Sequence, residues 1–163
     1  MKRQIKFRAL ELDTGNWVYG GFVSIDGYAM SNGVPDLNEP VTRYYIFQDG
    51  ERREVAEETV GQFTGLLDKN GVEIYEGDVV SQHAEWTETV YFGEDLSDSE
   101  SSETETVGVI KIYPSKGVVI TRAKKTDLLA CDGVWVKTWD LNVRSSRSVV
   151  IGNIHNNPEL LEK

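Results

Sequence analysis

The sequence has little cysteine, little histidine and no long apolar run, and each shortage excludes a class of protein. A single cysteine among 163 residues excludes an internal disulfide and any CxxC zinc or redox motif. Two histidines are too few for the usual ligand set of a zinc site, so we expect no metal and no cofactor. No apolar run approaches the roughly 20 residues of a membrane span, so we expect no membrane partner.

The N-terminal residues have a basic flank but no apolar segment behind it. The first seven residues read Met-Lys-Arg-Gln-Ile-Lys-Phe, whereas a signal peptide needs an apolar h-region at this point. We therefore expect a cytoplasmic protein in a reducing compartment.

Charge is distributed unevenly along the chain. The net charge is −10, and residues 1–106 hold 8 basic and 22 acidic side chains, whereas residues 107–151 hold 8 basic and 3 acidic ones. Residues 94–105 contain six carboxylates and no base, a composition typical of a mobile loop. We interpret residues 1–163 as a single domain, with a subdivision into 1–93 and 107–163 around the acidic loop 94–106 as the alternative. That loop is interpreted as a solvated insertion, with two alternatives: a mimic of a nucleic-acid backbone, or an arm that screens a basic face of its own protein.

Strand patterns dominate the sequence. Residues 5–10 alternate apolar and charged side chains, and the turn at Asp13–Asn16 joins them to an aromatic and β-branched run at 17–23, which predicts a hairpin. Asp26-Gly27 is interpreted as a second turn, and residues 31–40 as a loop. Further hairpin turns are predicted at residues 68–71 and 114–117. Asn157 before Pro158 predicts a short C-terminal helix. The predicted fold is mainly β, with short antiparallel strands in one or two SH3-like barrel units.

Three blocks of the sequence resemble a known family. Residues 62–71 with 73–80, the opening Ile5–Ala9 and the closing Ile151–Leu161 resemble, in this order, the signatures of the YopX family of phage and prophage proteins. The resemblance implies a small protein of a temperate phage or integrated element, acting in the cytoplasm of a bacterial host. It implies no catalytic residues, because the family's function is uncharacterised.

The central signature also has a structural interpretation from its own residues. Asn70 and Gly71 tolerate the positive φ values of a hairpin turn, and Gly77 permits a sharp corner at which Asp78 accepts backbone N–H groups. The signature residues to which we assign a structural role are Gln62, Phe63, Thr64, Gly65, Asp68, Asn70, Gly71, Tyr75, Glu76, Gly77 and Asp78.

Catalytic motifs are not found. Cys131 lies beside apolar residues and a turn, and is interpreted as a small buried side chain. His83 and His155 have no sequence neighbour that makes either a catalytic base, and no glycine pattern matches a phosphate-binding loop. We therefore expect no enzyme activity.

A basic window near the C-terminus supports an alternative binding function. Its candidate nucleic-acid contacts are Arg122, Lys124, Lys125, Trp135, Lys137, Trp139, Arg144 and Arg147. Cationic side chains neutralise phosphates and indoles stack on unpaired bases, although the overall negative charge opposes non-specific binding. The leading hypothesis is a non-enzymatic binding or assembly module that acts on a host or phage protein or on copies of itself. The alternative is a nucleic-acid-binding regulator, and the third hypothesis is an acidic DNA mimic.

Overall fold

The computed structural model describes residues 4–91, 97–127, 136–137 and 140–161. The chain divides into two compact units, Met1–Gly65 and Leu66–Lys163, so the boundary falls ahead of the acidic segment 94–106. The described strands form two antiparallel sheets, and the longest helix of the described ranges has four residues. The prediction of a mainly β fold is confirmed.

The first unit is a single meander with one added strand. Its strands are β1 (Phe7–Leu10), β2 (Trp17–Ser31), β3 (Val34–Gln48), β4 (Glu51–Glu54) and most of β5 (Gly61–Leu67). They lie in the order β4-β3-β2-β1-β5, with a short 3-10 turn at Glu57–Thr59 before β5. The hairpin predicted from residues 5–23 is the β1–β2 pair, in which Ala9 lies opposite Val18.

The core of the first unit forms where β1, β2 and β3 lie side by side. Ala9, Val18, Ile46 and Val55 are buried together, with Phe22 packed against them. The Thr59 hydroxyl accepts the Leu10 backbone N–H at 2.9 Å and donates to the Ala56 carbonyl at 2.7 Å. This polar contact fixes the 3-10 turn to the end of β1.

The second unit is built on long hairpins. Its strands are β6 (Glu73–Tyr75), β7 (Asp78–Tyr91), β8 (Ser97–Tyr113), β9 (Gly117–Asp127), β10 (Val136–Lys137), β11 (Leu141–Asn142) and β12 (Ser148–Asn153). The sheet order is β10-β9-β8-β7-β12, and β11 also pairs with β9. Ile74, Val80, Ile110 and Ile120 form its core. The turn predicted at residues 114–117 joins β8 to β9, with Tyr113 opposite Gly117.

The expectation of a loop across residues 94–106 is wrong for the part that the structure describes. Strand β8 begins at Ser97, and its residues from Ser97 to Val109 pair one by one with β7. Backbone hydrogen bonds along this ladder do not depend on apolar side chains, and Thr104 and Thr106 are buried on one face of the sheet. The acidic composition predicted a loop because composition does not show that a neighbouring strand holds this backbone in place by pairing with it. Residues 94–96 lie outside the described residues.

The turn expected at Asp26-Gly27 and the loop expected at 31–40 are also corrected. Strand β2 continues through Asp26 and Gly27 to Ser31, and β3 begins at Val34. The reversal occurs instead at Asn32-Gly33, with φ values of 51° and 80°. These positive values are those of a type I′ hairpin turn, which Asn-Gly favours.

Two finer fold predictions, an SH3-like barrel and a short C-terminal helix, are not reproduced in full. Neither sheet closes into a barrel within the described residues. At the predicted C-terminal helix, Pro158–Leu161 forms one 3-10 turn, with Leu160 N–H donating to the Asn157 carbonyl at 3.2 Å. No helix in the described ranges is long and apolar enough to cross a membrane.

Candidate functional site

The hairpin of β2 and β3 extends beyond its neighbours as a two-stranded arm. Strand β1 pairs with β2 only from Trp17 to Gly20, and β4 pairs with β3 only from Tyr45 to Gln48. We call residues 21–44 the arm, because in this part the ladder joins β2 and β3 only to each other, up to Tyr44, whose carbonyl accepts the Val55 N–H at 2.9 Å. No residue of the arm is fully buried. Two strands alone are marginally stable in water, so such a ribbon gains much from a partner surface.

Large apolar side chains are concentrated toward the tip of the arm. Met30 is 58% exposed, Val34 64% and Leu37 71%, and Ile25 and Tyr28 are exposed as well. Leu37 lies in a bulge, because Tyr28 pairs with Pro40 whereas Ala29 pairs with Asp36. The register pairs Met30 with Pro35 and Ser31 with Val34, so Met30 and Val34 lie on opposite faces of the ribbon. Single exposed apolar residues are common on protein surfaces, but several large ones on one short ribbon indicate a candidate interaction site.

The polar side chains of the arm are mostly acidic. Asp26, Asp36 and Glu39 outnumber its one cation, Arg43. The Asp26 carboxylate accepts the Thr42 hydroxyl at 2.8 Å across the two strands, and that of Asp36 accepts the Asn38 N–H at 3.0 Å. The arm therefore presents exposed apolar side chains together with a net negative charge.

In the second unit, the turn predicted at residues 68–71 is present and Asp68 organises it. One oxygen of its buried carboxylate accepts the N–H groups of Asn70 at 2.8 Å and Val72 at 2.9 Å. The other oxygen accepts the Val150 N–H of β12 at 3.1 Å. Burial acts to raise the pKa of Asp68, but the three backbone N–H donors, together with the positive charge of Lys69, outweigh it and hold the pKa below its ordinary value.

This turn brings Lys69 beside the last strand of the sheet. The Lys69 backbone N–H donates to the Ser148 carbonyl at 3.0 Å. Lys69, His83, Glu85, Ser146 and Arg147 line a surface cleft of about 340 Å³. The cleft thus joins the turn, strand β7 and the 3-10 turn Ser145–Arg147.

The chemistry of the cleft is that of a mixed-charge surface. The His83 ring lies 3.9 Å from a Glu103 oxygen through Nδ1 and 3.8 Å from a Glu105 oxygen through Nε2. The Ser81 hydroxyl donates to Glu105 at 2.5 Å and not to the imidazole, so this serine, histidine and glutamate do not form a nucleophile–base pair. Within the described residues no group of three metal-ligating side chains is found.

Gln82 positions the backbone of the basic residues at this end of the sheet. Its buried side-chain oxygen accepts the Arg144 N–H at 2.6 Å and the Ser148 hydroxyl at 3.1 Å. Arg144 and Arg147, both exposed, therefore lie beside β7 and β12.

The structure brings only part of the predicted basic set together. Arg122, Lys124 and Lys125 lie on β9, and the register places Lys137 of β10 opposite Lys124. Two strands of the sheet, β8 and β7, then separate β9 from β12 and the turn that carries Arg147. Trp135, Trp139 and Cys131 lie outside the described residues.

The second corner of the central signature links both ends of the second unit. Asp78 is buried and accepts the Tyr75 N–H at 2.7 Å. Gly77, at a φ of 84°, donates to the Ile110 carbonyl and accepts the Ile154 N–H, both at 3.0 Å. Its contacts join the central signature to the closing block that contains His155. Gln62, Phe63, Thr64 and Gly65 all lie on β5.

The apolar tip of the arm was missed from the sequence. Met30, Val34 and Leu37 lie in or next to residues 31–40, which were interpreted as a loop. Their apolar side chains were therefore not assigned to a strand. The Asn32-Gly33 pair is the sequence signal that would have placed them on a hairpin.

Comparisons with known proteins concern almost the whole chain. The family model described as YopX protein matches residues 6–162. The crystal structure of protein EF1440 from Enterococcus faecalis is similar at 21% sequence identity, covering 98% of this chain and 99% of that chain, with a TM-score of 0.39. No curated protein matches the chain.

Proposed function

The chain belongs to the YopX protein family, and from that premise we propose that it is a non-enzymatic binding module that works in assembly through the arm. In this proposal it is an accessory protein of a phage or prophage. It acts in the cytoplasm of the bacterial host on a host or phage macromolecule.

The observation that carries the proposal is the exposed apolar tip of the arm. Met30, Val34 and Leu37 each leave more than half of their surface in solvent. Protein interfaces are built around such apolar anchors with a polar rim, here the acidic side chains of the arm. An SH3-like closure of the sheets remains a finer prediction, and the arm's role does not depend on it.

We expect removal of the apolar anchors to abolish partner capture. In the triple substitution Met30→Ser, Val34→Ser and Leu37→Ser, the anchors lose their apolar surface while the backbone pairing of the arm remains. Tagged protein incubated with host lysate is expected to retain partner proteins as wild type but lose them as the arm variant, measured by mass spectrometry of the eluates.

A matched control separates this effect from a general loss of surface hydrophobicity. Ile5 and Leu12 are comparably exposed, belong to the first unit and lie outside the arm. The double substitution Ile5→Ser and Leu12→Ser is expected to capture the same proteins as wild type. An identical set of captured proteins from the arm variant would contradict the proposal.

A second candidate, nucleic-acid binding, is favoured by the register of β9 and β10. Lys137 lies opposite Lys124, next to Lys125 and Arg122 along β9. A cluster of cations on adjacent strands is a means of neutralising phosphates.

Fluorescence anisotropy with labelled single- and double-stranded DNA and RNA tests this candidate. If it is correct, binding weakens steeply with added salt and falls on replacing Arg122, Lys124 and Lys125 by glutamine. Replacing Lys111, an exposed lysine of β8 outside the cluster, is the control and is expected to have little effect. Absence of binding even at low salt removes nucleic acid from consideration.

A further inference from the structure

Arm and second unit have complementary surfaces, and we propose that the arm of one chain docks on the second unit of another copy of the same chain. This inference rests on the proposed function and names its partner. The docking surface consists of Leu67, Lys69, Val72, Arg147 and Ile151, which we call the patch.

The residues of the patch are held around the Asp68 carboxylate. Leu67 and Lys69 flank Asp68 in the chain, Val72 donates its N–H to that carboxylate, and Ile151 follows Val150, which donates to the other oxygen. Three exposed apolar residues, Leu67, Val72 and Ile151, therefore lie on chain segments that this carboxylate holds together.

Two cations border these apolar side chains. Lys69 and Arg147 are exposed and line the same cleft. Neither side chain forms an ion pair within 4.0 Å with any residue that the structure describes. Glu85 lines the same cleft, so the surroundings of the patch carry both signs of charge, and the patch itself contributes apolar surface and the two cations.

The arm offers the matching combination. Its apolar tip is accompanied by Asp26, Asp36 and Glu39. Apolar contacts supply most of the association free energy, and opposite charges select the partner and the orientation.

A second copy supplies both halves of this interface. The contact joins two different surfaces, so a bound pair still has one free arm and one free patch to offer. Such a head-to-tail contact closes into a ring or extends into a filament. An arm-to-arm contact would instead stop at a dimer.

Sedimentation velocity on the full chain tests the proposal with two variants. The arm variant is Met30→Ser, Val34→Ser and Leu37→Ser, and the patch variant is Lys69→Glu, Val72→Ser and Arg147→Glu. Wild type is expected to form oligomers at low salt that dissociate as salt is added. Each variant alone is expected to sediment as a monomer.

The equimolar mixture of the two variants gives the sharpest result. The patch variant keeps an intact arm and the arm variant keeps an intact patch, so the mixture is expected to form a heterodimer and nothing larger. Lys111→Glu, which reverses a charge outside the patch, is expected to assemble as wild type. Circular dichroism and thermal melting confirm that each variant is folded before it is compared.

Several outcomes overturn the inference. They are a monomeric wild type at high micromolar concentration and low salt, a folded patch variant that assembles as wild type, and a mixture of folded variants that stays monomeric. If wild type is monomeric but still captures lysate proteins through the arm, the inference fails and the proposed function stands. If neither assembly nor capture depends on the arm, both fail. For a patch variant that does not fold, the single substitution Lys69→Glu replaces it, with Asp36→Lys in the partner chain expected to restore assembly.

Discussion

Replacing Asp68 with alanine is expected to lower the free energy of unfolding by about 3 kcal/mol. The substitution removes the acceptor of three backbone N–H groups, those of Asn70, Val72 and Val150. Because the site is buried, water replaces the lost acceptor only in part. The substitution would also remove one of two hydrogen bonds between the turn and β12, leaving that of the Lys69 N–H to the Ser148 carbonyl.

Urea denaturation followed by circular dichroism and tryptophan fluorescence measures this change. Asp13 provides the control, because it is exposed in a turn of the first unit, and Asp13→Ala is expected to change stability by less than about 0.5 kcal/mol. Asp68→Asn keeps one acceptor oxygen and should fall between alanine and wild type. A loss below about 1 kcal/mol for Asp68→Ala would contradict the role assigned to the carboxylate.

The same carboxylate gives the stability a defined dependence on pH. The three N–H donors and the positive charge of Lys69, acting against burial, lower the pKa of Asp68 in the folded protein below its ordinary value of 3.8. A group with a lowered folded pKa stabilises the protein fully above its unfolded pKa and loses that contribution as the pH falls through the folded pKa. Asp68→Asn is expected to remove this part of the decline, which begins as the pH falls below about 5.

Replacing Gly20 with alanine is expected to destabilise the first unit by about 3 kcal/mol. A Cβ atom at this position would lie 1.9 Å from the Phe47 carbonyl oxygen and 2.8 Å from its carbon. Both are backbone atoms of the strand that pairs with β2, so the clash is relieved only by separating β2 from β3 at the base of the arm.

The neighbouring glycine is the matched control for this substitution. A Cβ added at Gly21 meets nothing within 4 Å. Gly21→Ala is therefore expected to change the free energy of unfolding by less than about 1 kcal/mol. Equal effects of the two substitutions in the same urea experiment would show that the close approach at Gly20 has no energetic consequence.

Local patterns predicted the elements whose signals lie within a few residues. Alternation of side chains gave the β1–β2 pair, and the Asn70-Gly71 pair gave the turn after β5. A turn was predicted at Asp26-Gly27, and Asn32-Gly33 was assigned to a loop over residues 31–40. The structure reverses at the second pair, where the strands continue into equal 15-residue partners.

Long-range partners were beyond a single sequence. Asp68 accepts the N–H of Val150 only because β12 lies beside the turn. Neither segment of the sequence contains a pattern that predicts this pairing. The strand at Ser97–Thr106 is a similar case, because its pairing with β7 and not its composition orders the backbone. Among the candidate basic residues, Lys124 and Lys137 lie opposite each other on adjacent strands, which only the strand register shows.

The wide sequence separation of the contacts that complete the second unit has a consequence for synthesis of the protein. Gln82 and Ser148 are 66 positions apart, and Asp68 and Val150 are 82 apart. At the usual rate of translation, roughly 4 to 16 s pass between the emergence of the two residues of the longer contact. The arm leaves the ribosome before either of them. A nascent arm is thus exposed for seconds before the patch of its own chain exists, and in that interval only finished neighbours offer it a docking surface.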